Sequence, residues 1–535
     1  MNVEETSVEV GIESLRDLYA DEPSTSINSI NNNNAAEEGF EEDVYHDGKP
    51  LEMAVDKLKT PPKRKKYVVL LIVMCALGGA VALAVLGIQK NMDQGGSQAI
   101  EGSNNNDGND INGTGAPTLA PSVNFPFTMQ ERTAETCEGG FRTCTEVEEC
   151  ALQQLFVALN GCEWYDRTNW LSFQPICDWH GVTCSSVEED GEERVTELDW
   201  RENNLRGSLP NALLSVITHL KELEYLDLDD NSLTGTIPSE LALLTSLGLL
   251  SFSQNLLTGS LPTELATLSS LFYFASRTNQ HDGVLPQEYS QWAPRLESLE
   301  LKDNLLLQGS LFDNLGDFQQ LLSLDLEGTD IGGTISTSIG NLKQLWYVAL
   351  DRTNVRGPIP TQVGTMESLE YFSVYDAYLT GTIPSQLGNC AKLETLDLSY
   401  NDKLGGPVPT ELGQLQGLAY FDLEANYFNS TLFISSVFLK KVDNSSSVWT
   451  STSWPWPPNL TFFSVQNNNI TGPLPSSLGA LNFLQWLHLD KNEFEGTMPA
   501  ALCERVRTNF LQLDADCESP LLNCSCFSSC CPAQI

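Results

Sequence analysis

A leucine-centred motif recurs from residue 195 to residue 502 of this 535-residue chain at nearly constant spacing. Each copy follows the pattern L-x-x-L-x-L-x-x-N, and successive central positions lie 24 to 28 residues apart, except for one step of 42. Steps of about 20 to 29 residues are typical of repeats that stack as the coils of a solenoid. The twelve central positions are Leu198, Leu226, Leu250, Phe274, Leu299, Leu324, Val348, Phe372, Leu396, Phe421, Phe463 and Leu487.

Each copy has a physical reason for its pattern. The alternating x-L-x-L stretch predicts a short strand with its leucines inward, and the following asparagine turns the chain, as at Asn231, Asn255, Asn304, Asn401 and Asn492. The next stretch, such as NSLTGTIP over 231–238, contains a glycine and a proline suited to an extended turn. One unit cannot bury its own leucines, so neighbours stack into a curved rod with strands on its concave side. The sequence therefore predicts an α/β solenoid, a horseshoe of about twelve repeats.

The single 42-residue step exceeds the common 24 by 18 residues and indicates an insertion at about 433–458. This stretch is rich in serine and contains Trp449, Trp454 and Trp456, so we expect a loop that leaves the rod. Such insertions often serve binding, but an exposed loop carrying a glycan at Asn444 accounts for the sequence equally well.

Twelve of the fourteen cysteines cluster on either side of the repeats. Six cysteines on each side are the even counts that disulfide frameworks require in an oxidising compartment, and they predict cysteine-rich caps over 137–194 and 503–535. A pair of zinc sites is the alternative, but the expected C-x-x-C spacing is missing. The twelve cysteines are Cys137, Cys144, Cys150, Cys162, Cys177 and Cys184, followed by Cys503, Cys517, Cys524, Cys526, Cys530 and Cys531.

Residues 67–88 form an apolar run of 22 residues without a charge or a proline. This length crosses a hydrocarbon core of about 30 Å as a helix, which predicts a transmembrane signal anchor. The basic run 63–66 precedes it, so the positive-inside rule places the N-terminus in the cytoplasm and the repeats outside the cell. The glycosylation sequons agree, because all of them follow this segment: Asn112, Asn429, Asn444, Asn459, Asn469 and Asn523.

Two further segments lack the composition of a folded domain. Residues 1–66 are acidic and rich in asparagine and serine, which predicts a disordered cytoplasmic tail. Residues 89–136 are rich in glycine, asparagine, serine and proline, which predicts a flexible extracellular linker. The net charge of −42 argues against nucleic acid as a partner, because two negatively charged polymers repel each other.

The region before the repeats carries a recognisable set of motifs. ALQQLFVALNG at 151–161, TNW at 168–170 and CDWHGVTC at 177–184 resemble the N-terminal cap of plant-type leucine-rich-repeat receptors, receptor-like proteins and polygalacturonase-inhibiting proteins. With the L-x-G-x-I-P signature, the resemblance covers 150–502 and implies a disulfide between Cys177 and Cys184. The ending, with LDADC at 513–517, is similar to caps of algal leucine-rich-repeat proteins anchored in the membrane by an N-terminal helix. The plant receptors carry their helix after the repeats, often with a kinase behind it, so the resemblance implies recognition rather than kinase signalling.

The residue before each central position is expected on the concave face, and seven of these twelve residues are aromatic. The residue after it is acidic in six copies: Asp199, Asp227, Glu300, Asp325, Asp397 and Asp422. Aromatic rings beside carboxylates suit sugar rings or basic peptides. The preference of aromatic residues for strands accounts for the same column without a ligand. The predicted ligand-binding residues are Tyr225, Tyr273, Trp346, Tyr347, Arg352, Tyr371, Tyr375, Tyr400, Tyr420 and Trp486.

The sequence shows no catalytic motif of the H-E-x-x-H, P-loop or G-x-S-x-G kind, so we expect no enzyme, no metal and no cofactor. The function expected is recognition or adhesion at the plasma membrane, with a peptide, glycan or protein as ligand and a co-receptor as a further partner. Two alternatives stay open: a cell-surface inhibitor of wall-degrading hydrolases, and a structural tether to the cell wall.

Overall fold

The periodic leucines build one long sheet of fourteen strands, whose order follows the chain. A computed structural model describes residues 147–186, 191–214, 216–429, 456–508, 510–516 and 521–523. The first two strands are antiparallel, and each later pair of neighbours is parallel. The strands are β1 (Val182–Ser186), β2 (Glu193–Asp199), β3 (Tyr225–Asp227), β4 (Leu249–Ser251), β5 (Tyr273–Ala275), β6 (Ser298–Glu300), β7 (Ser323–Asp325), β8 (Tyr347–Ala349), β9 (Tyr371–Ser373), β10 (Thr395–Asp397), β11 (Tyr420–Asp422), β12 (Phe462–Ser464), β13 (Trp486–His488) and β14 (Gln512–Asp514).

Shorter elements complete each coil on the return path. The α-helices described are α1 (Val147–Ala158), α2 (Leu209–Leu213) and α3 (Ala500–Arg507). Three short parallel sheets follow the turns. The first contains Arg206–Ser208, Ser232–Gly235, Leu256–Ser260 and Gln280–Asp282, and the second contains Gln308–Ser310, Asp330–Thr334, Asn354–Gly357, Tyr378–Gly381, Lys403–Gly406 and Tyr427–Phe428. The third contains Thr471–Pro473, Glu493–Thr497 and Leu522–Asn523. The 3₁₀ turns are Gly161–Glu163, Ile176–Asp178, Ile217–His219, Ser239–Leu243, Thr263–Thr267, Gln287–Trp292, Leu315–Asp317, Thr337–Asn341, Thr361–Thr365, Ser385–Asn389, Thr410–Gln414 and Ser476–Ala480.

The twelve predicted central positions lie in β2 to β13, in the middle of each three-residue strand and next to the end of β2, and each of these side chains is at most 1% exposed. They pack against neighbours from the coils before and after, which gives one continuous hydrophobic core. Strand β14 then pairs in parallel with β13, with Leu487 opposite Leu513. The sheet therefore extends beyond residue 502, where the sequence placed the end of the solenoid.

The repeated asparagine links neighbouring coils through buried hydrogen bonds. In Asn255, the side-chain nitrogen donates to the carbonyl oxygens of Leu228 and Phe252 at 2.9 and 3.1 Å. Its side-chain oxygen accepts from the backbone nitrogen of Leu233 at 2.9 Å, so one amide satisfies groups of two coils. In three consecutive coils the equivalent position is occupied by Thr329, Thr353 and Ala377.

The predicted insertion does not interrupt the sheet, because β11 pairs directly with β12 and aligns Phe421 with Phe463. The indole nitrogen of Trp456 donates to the Ser477 hydroxyl at 3.0 Å, and its ring lies 5.5 Å from that of Phe463. The chain has thus rejoined the coil slightly before residue 458, and residues 433–455 of the predicted insertion lie outside the described part.

The cysteine predictions that fall on described residues agree with the structure. Cys177 and Cys184 form a disulfide with their Cα atoms 5.5 Å apart, which confirms the pairing implied by the resemblance. Cys150, Cys162 and Cys503 are also disulfide-bonded. The remaining predicted positions lie outside the described residues: Cys137, Cys144, Cys517, Cys524, Cys526, Cys530 and Cys531.

An aromatic cluster closes the N-terminal end of the core. The ring of Trp170 lies 5.3 Å from Phe156, 5.0 Å from Trp164, 4.8 Å from Trp179 and 5.5 Å from Trp200. These large buried rings cover the leucines of the first coil, which would otherwise be exposed at the end of a solenoid. The cap motif noted in the sequence is therefore a packing motif.

Thiol labelling tests the cap assignment. Cys390 is the free cysteine among the described residues; it is 1% exposed, and burial raises the pKa of its thiol to about 11. We expect iodoacetamide to leave the native Cys390 thiol unlabelled and to label it after denaturation without reductant. Cys177 and Cys184 should stay unlabelled in both states, as mass spectrometry of the peptides would show. Labelling of Cys177 without reductant would contradict the disulfide.

Several predicted segments fall outside the described residues: the tail 1–66, the apolar run 67–88 and the linker 89–136. Among the helices that the structure does describe, none has both the length and the apolar character needed to cross a membrane.

Candidate ligand-binding face of the long sheet

The face of the long sheet that points away from the core is the predicted concave surface. It is built by the residues before and after each central position and by the third and fourth residues that follow it. Alternation along a strand sends the central residue into the core and its two neighbours to the opposite side. We refer to this surface as the outer face.

The basic residues on β2 to β8 of the outer face are paired with acids. The Arg201 guanidinium holds Asp199 through two hydrogen bonds of 2.9 and 2.8 Å. Arg277 is 9% exposed at its side chain and lies 3.5 Å from the Glu300 carboxylate. These contacts neutralise the cations, so this part of the surface offers them to a ligand only at the cost of breaking ion pairs.

Arg352, predicted as a ligand contact, lies at the centre of a similar network. Its Nη2 donates to Asp303 Oδ1 at 3.0 Å and to Glu327 Oε1 at 2.8 Å. Lys302 Nζ lies 2.7 Å from the other Glu327 oxygen. Although burial alone would raise the pKa of Glu327, the two cations lower it. Arg352 is thus already ion-paired with two carboxylates of the solenoid, and the sequence did not reveal these contacts.

The next four strands have a different charge pattern. We define the acidic face as the outer face of β9 to β12, with residues 371–377, 395–401, 420–426 and 462–468. These residues contain no lysine or arginine, but they contain Asp376, Asp397, Asp422 and Glu424. A surface built from residues of this composition attracts cationic groups from solution.

The carboxyl groups at this end of the outer face have unusual protonation. Burial, with repulsion from Glu327, raises the pKa of Asp351 to about 8. Burial and the proximity of Asp351 raise the pKa of Asp397 to about 7. Both groups therefore change charge near neutral pH, and an approaching cation would favour their ionised forms.

Aromatic rings stack along the outer face in two pairs. Tyr347 and Tyr371 have ring centroids 4.5 Å apart at an interplanar angle of 14°, and the edge of Trp346 meets Tyr347 at 5.6 Å. Tyr420 and Phe462 are 4.4 Å apart at 8°. Within each pair one ring face is covered by the partner ring, so fewer faces are available for sugar stacking than the sequence predicted.

The structure brings some of the predicted residues together and separates others. Trp346, Tyr347, Tyr371 and Tyr375 are neighbours on β8, β9 and the turns around them. Tyr400 is 37% exposed, and its hydroxyl donates to Glu424 at 2.9 Å. Tyr420 and Trp486 are half-buried on β11 and β13. Tyr225 lies apart on β3, where its hydroxyl donates to Asp227 at 3.2 Å.

Tyr273 is the most deeply buried of the predicted ligand contacts. Its side chain is 0% exposed and packs in a small cluster with Leu249 and Ala275, against which Tyr225 and Phe272 lie. This burial leaves Tyr273 less accessible to a ligand than the other predicted contacts, which are half-buried or exposed.

Sequence reasoning passed over Thr395 and did not select Asp397. Both lie on β10 and point to the outer face, between the two aromatic pairs. The signal that could have identified this place is the lack of lysine and arginine between Arg352 and Lys491 at outer-face positions.

Other site predictions concern the surface as a whole. The sequons at Asn429, Asn459, Asn469 and Asn523 are exposed, whereas Asn112 and Asn444 lie outside the described residues. Across the part of the chain that the structure describes, no histidine, cysteine, aspartate or glutamate cluster could hold a metal ion.

Comparison with known proteins agrees with this architecture. The Leucine Rich Repeat family model matches residues 222–244 and 459–481. The chain is 42% identical over 64 residues to the receptor protein kinase WSS1 of Oryza sativa subsp. japonica and 42% identical over 53 residues to receptor-like protein 18 of Arabidopsis thaliana. These matches cover 12% and 10% of this chain and 6% of each relative, so the chain aligns with a small part of their length.

The fold also matches solved receptors. The plant peptide hormone receptor RGFR1, solved in complex with RGF2, superposes with a TM-score of 0.53 at 29% identity. The match covers 65% of this chain and 53% of the receptor chain. The repeated strands, the paired cap cysteines and these similarities confirm the predicted resemblance: the solenoid is a leucine-rich-repeat structure similar to those of plant-type receptors and receptor-like proteins.

Proposed function

We propose that the protein is a recognition protein of the cell surface that binds a peptide on the outer face of its solenoid, within β8 to β12. The observation that carries the proposal is the acidic face, where aromatic rings and carboxylates lie together without a lysine or arginine. The similarity of the solenoid to a peptide hormone receptor supports a peptide, rather than a glycan, as the ligand class.

The cellular setting is part of the same proposal. The apolar run 67–88 and the basic residues before it support a single pass through the plasma membrane with the solenoid outside. The disulfides of the caps support an oxidising environment for the described part of the chain. A co-receptor would then transmit the bound state, and the protein itself would act by binding rather than catalysis.

Peptide selection tests the proposal. The immobilised full chain is incubated with a random library of nine-residue peptides, and the retained peptides are sequenced. We expect enrichment of peptides that carry basic residues, because the residues of the acidic face include four carboxyl groups and no lysine or arginine. Replacing Tyr371 by leucine should reduce retention of the selected peptides about tenfold, since it removes a stacked ring from the centre of the surface.

The matched control is Tyr378→Leu, because Tyr378 is 61% exposed on a short sheet outside the outer face. This variant should retain the selected peptides as the unchanged chain does. Failure of the full chain to enrich any peptide would contradict the proposal, as would a loss of binding caused by the control and not by Tyr371→Leu. A pull-down in which a wall-degrading hydrolase loses activity would favour the inhibitor alternative.

A further inference from the structure

A slot one strand wide separates the two aromatic pairs of the outer face. In the register of the sheet, Thr395 lies beside Tyr371 on one side and Tyr420 on the other. A threonine side chain is much shorter than a tyrosine side chain, so the rings rise above it as two walls. Thr395 is 4% exposed, as expected for the floor of a narrow slot.

The width of the slot follows from the stacking distances on either side. Adjacent rings are 4.5 Å apart for Tyr347 and Tyr371 and 4.4 Å apart for Tyr420 and Phe462. Two such steps place the rings of Tyr371 and Tyr420 about 9 Å apart, close to twice the usual strand spacing. A planar group midway would lie about 4.5 Å from each centroid, within the range of cation–π contact.

A carboxyl group stands at the side of the slot. Asp397 points to the same face as Thr395, because the two residues are separated by one position on β10. Asp397 is 5% exposed, and its Oδ1 accepts from the Ser399 hydroxyl at 2.6 Å and from the Ser399 backbone nitrogen at 3.0 Å. Among the described residues no lysine or arginine forms an ion pair with Asp397, which leaves Oδ2 for an incoming donor.

We propose that this slot binds the guanidinium group of an arginine in the peptide ligand. The inference rests on the proposed function and specifies it. The guanidinium would stack between the rings of Tyr371 and Tyr420 above Thr395 and donate a hydrogen bond to Asp397 Oδ2. The slot thereby selects for both charge and planarity.

Planarity separates arginine from lysine at this place. A guanidinium is flat, is weakly hydrated and stacks on aromatic faces, whereas an ammonium is a compact and strongly hydrated charge. The acidic face attracts both, but only the flat group fills a narrow slot between two aromatic rings. Citrulline is flat but uncharged, so it gains the stacking contacts without the ion pair with Asp397.

Three capped tetrapeptides test the inference: tetra-arginine, tetra-lysine and tetra-citrulline, titrated calorimetrically into the full chain at pH 7.5. We expect tetra-arginine to bind at least about tenfold more tightly than either of the others. Thr395→Phe fills the slot and should weaken tetra-arginine about tenfold while changing tetra-lysine less than about twofold. Burial raises the pKa of Asp397 to about 7, so tetra-arginine should bind less tightly at pH 5.5 than at pH 7.5. Asp397→Asn should weaken tetra-arginine at pH 7.5 and reduce this pH dependence, while the contribution of Asp351, whose pKa burial raises to about 8, should remain.

Thr380→Phe is the matched control, since Thr380 lies on a short sheet away from the outer face and receives the same substitution. It should leave all three affinities unchanged, and circular dichroism should show that both phenylalanine variants are folded. Equal binding of tetra-arginine and tetra-lysine would overturn the inference, as would tetra-arginine binding unaffected by Thr395→Phe. If the library still yields Tyr371-dependent peptides in that case, the proposed function stands and only the arginine slot fails.

Discussion

Replacing Asn401 by alanine is expected to lower the free energy of unfolding by about 3–5 kcal/mol. The Asn401 side-chain nitrogen donates to the Val374 carbonyl at 2.8 Å, and its oxygen accepts from the Leu379 backbone nitrogen at 2.9 Å. The side chain is 0% exposed, so alanine would leave both backbone groups buried without these partners. A buried backbone group that loses its hydrogen bond costs about 1–3 kcal/mol. Urea denaturation of the full chain, followed by circular dichroism, measures the change.

Asn389→Ala provides the control for this prediction. Asn389 is exposed and lies at the end of the 3₁₀ turn Ser385–Asn389, outside the long sheet. Its replacement should change the free energy of unfolding by less than about 0.5 kcal/mol. Similar losses of unfolding free energy in the two variants would show that the repeated buried asparagine does not hold neighbouring coils together.

Replacing Asp351 by asparagine is expected to stabilise the protein at pH 8 and to have a smaller effect at pH 5. Asp351 accepts hydrogen bonds from the Ser373 hydroxyl and from the Tyr375 backbone nitrogen, and an amide oxygen can accept both. Burial raises the pKa of Asp351 from 3.8 to about 8. Since the raised pKa belongs to the folded state, stability present below pH 4 is lost as the pH rises towards 8.

Asparagine does not titrate, so the stability of the variant relative to the unchanged protein should grow by about 2–4 kcal/mol between pH 5 and pH 8. His281 has the opposite dependence, because burial lowers the pKa of its imidazole to about 4, but it is present in both proteins and cancels. Thermal unfolding at both pH values measures the difference. The control is Asp376→Asn, because Asp376 is exposed. An Asp351→Asn variant whose stability does not rise with pH relative to the unchanged protein would contradict the raised pKa of the buried Asp351 carboxyl.

The sequence was sufficient to predict the fold because a solenoid is nearly one-dimensional. Each coil contacts only its neighbours, so the leucine positions and the asparagine at the end of each strand determine where every strand lies. The exceptions in the long sheet are β1, which lies in the predicted N-terminal cap, and β14, whose central Leu513 is followed by a cysteine rather than by another repeat. The sequence therefore assigned Gln512–Asp514 to the cap.

The ligand-binding face was harder to predict, because exposure and pairing depend on side chains from adjacent coils. Tyr273 and Tyr371 occupy equivalent positions in their repeats, but neighbouring coils bury the first completely and leave the second half-exposed. Arg352 pairs with Asp303, which lies 49 residues earlier in the chain. Sequence periodicity gives the position of a residue on the sheet, but not which side chains from other coils cover it or pair with it.

We expect the ligand to bind to the outer face within β8 to β12. Placing the photo-crosslinker p-benzoylphenylalanine at Tyr400, on this face, and separately at Tyr427, 63% exposed on a short sheet, tests the claim with the peptides selected from the library. The account predicts that irradiation links the peptide to position 400 and not to position 427. Cross-linking at position 427 with none at position 400 would contradict it.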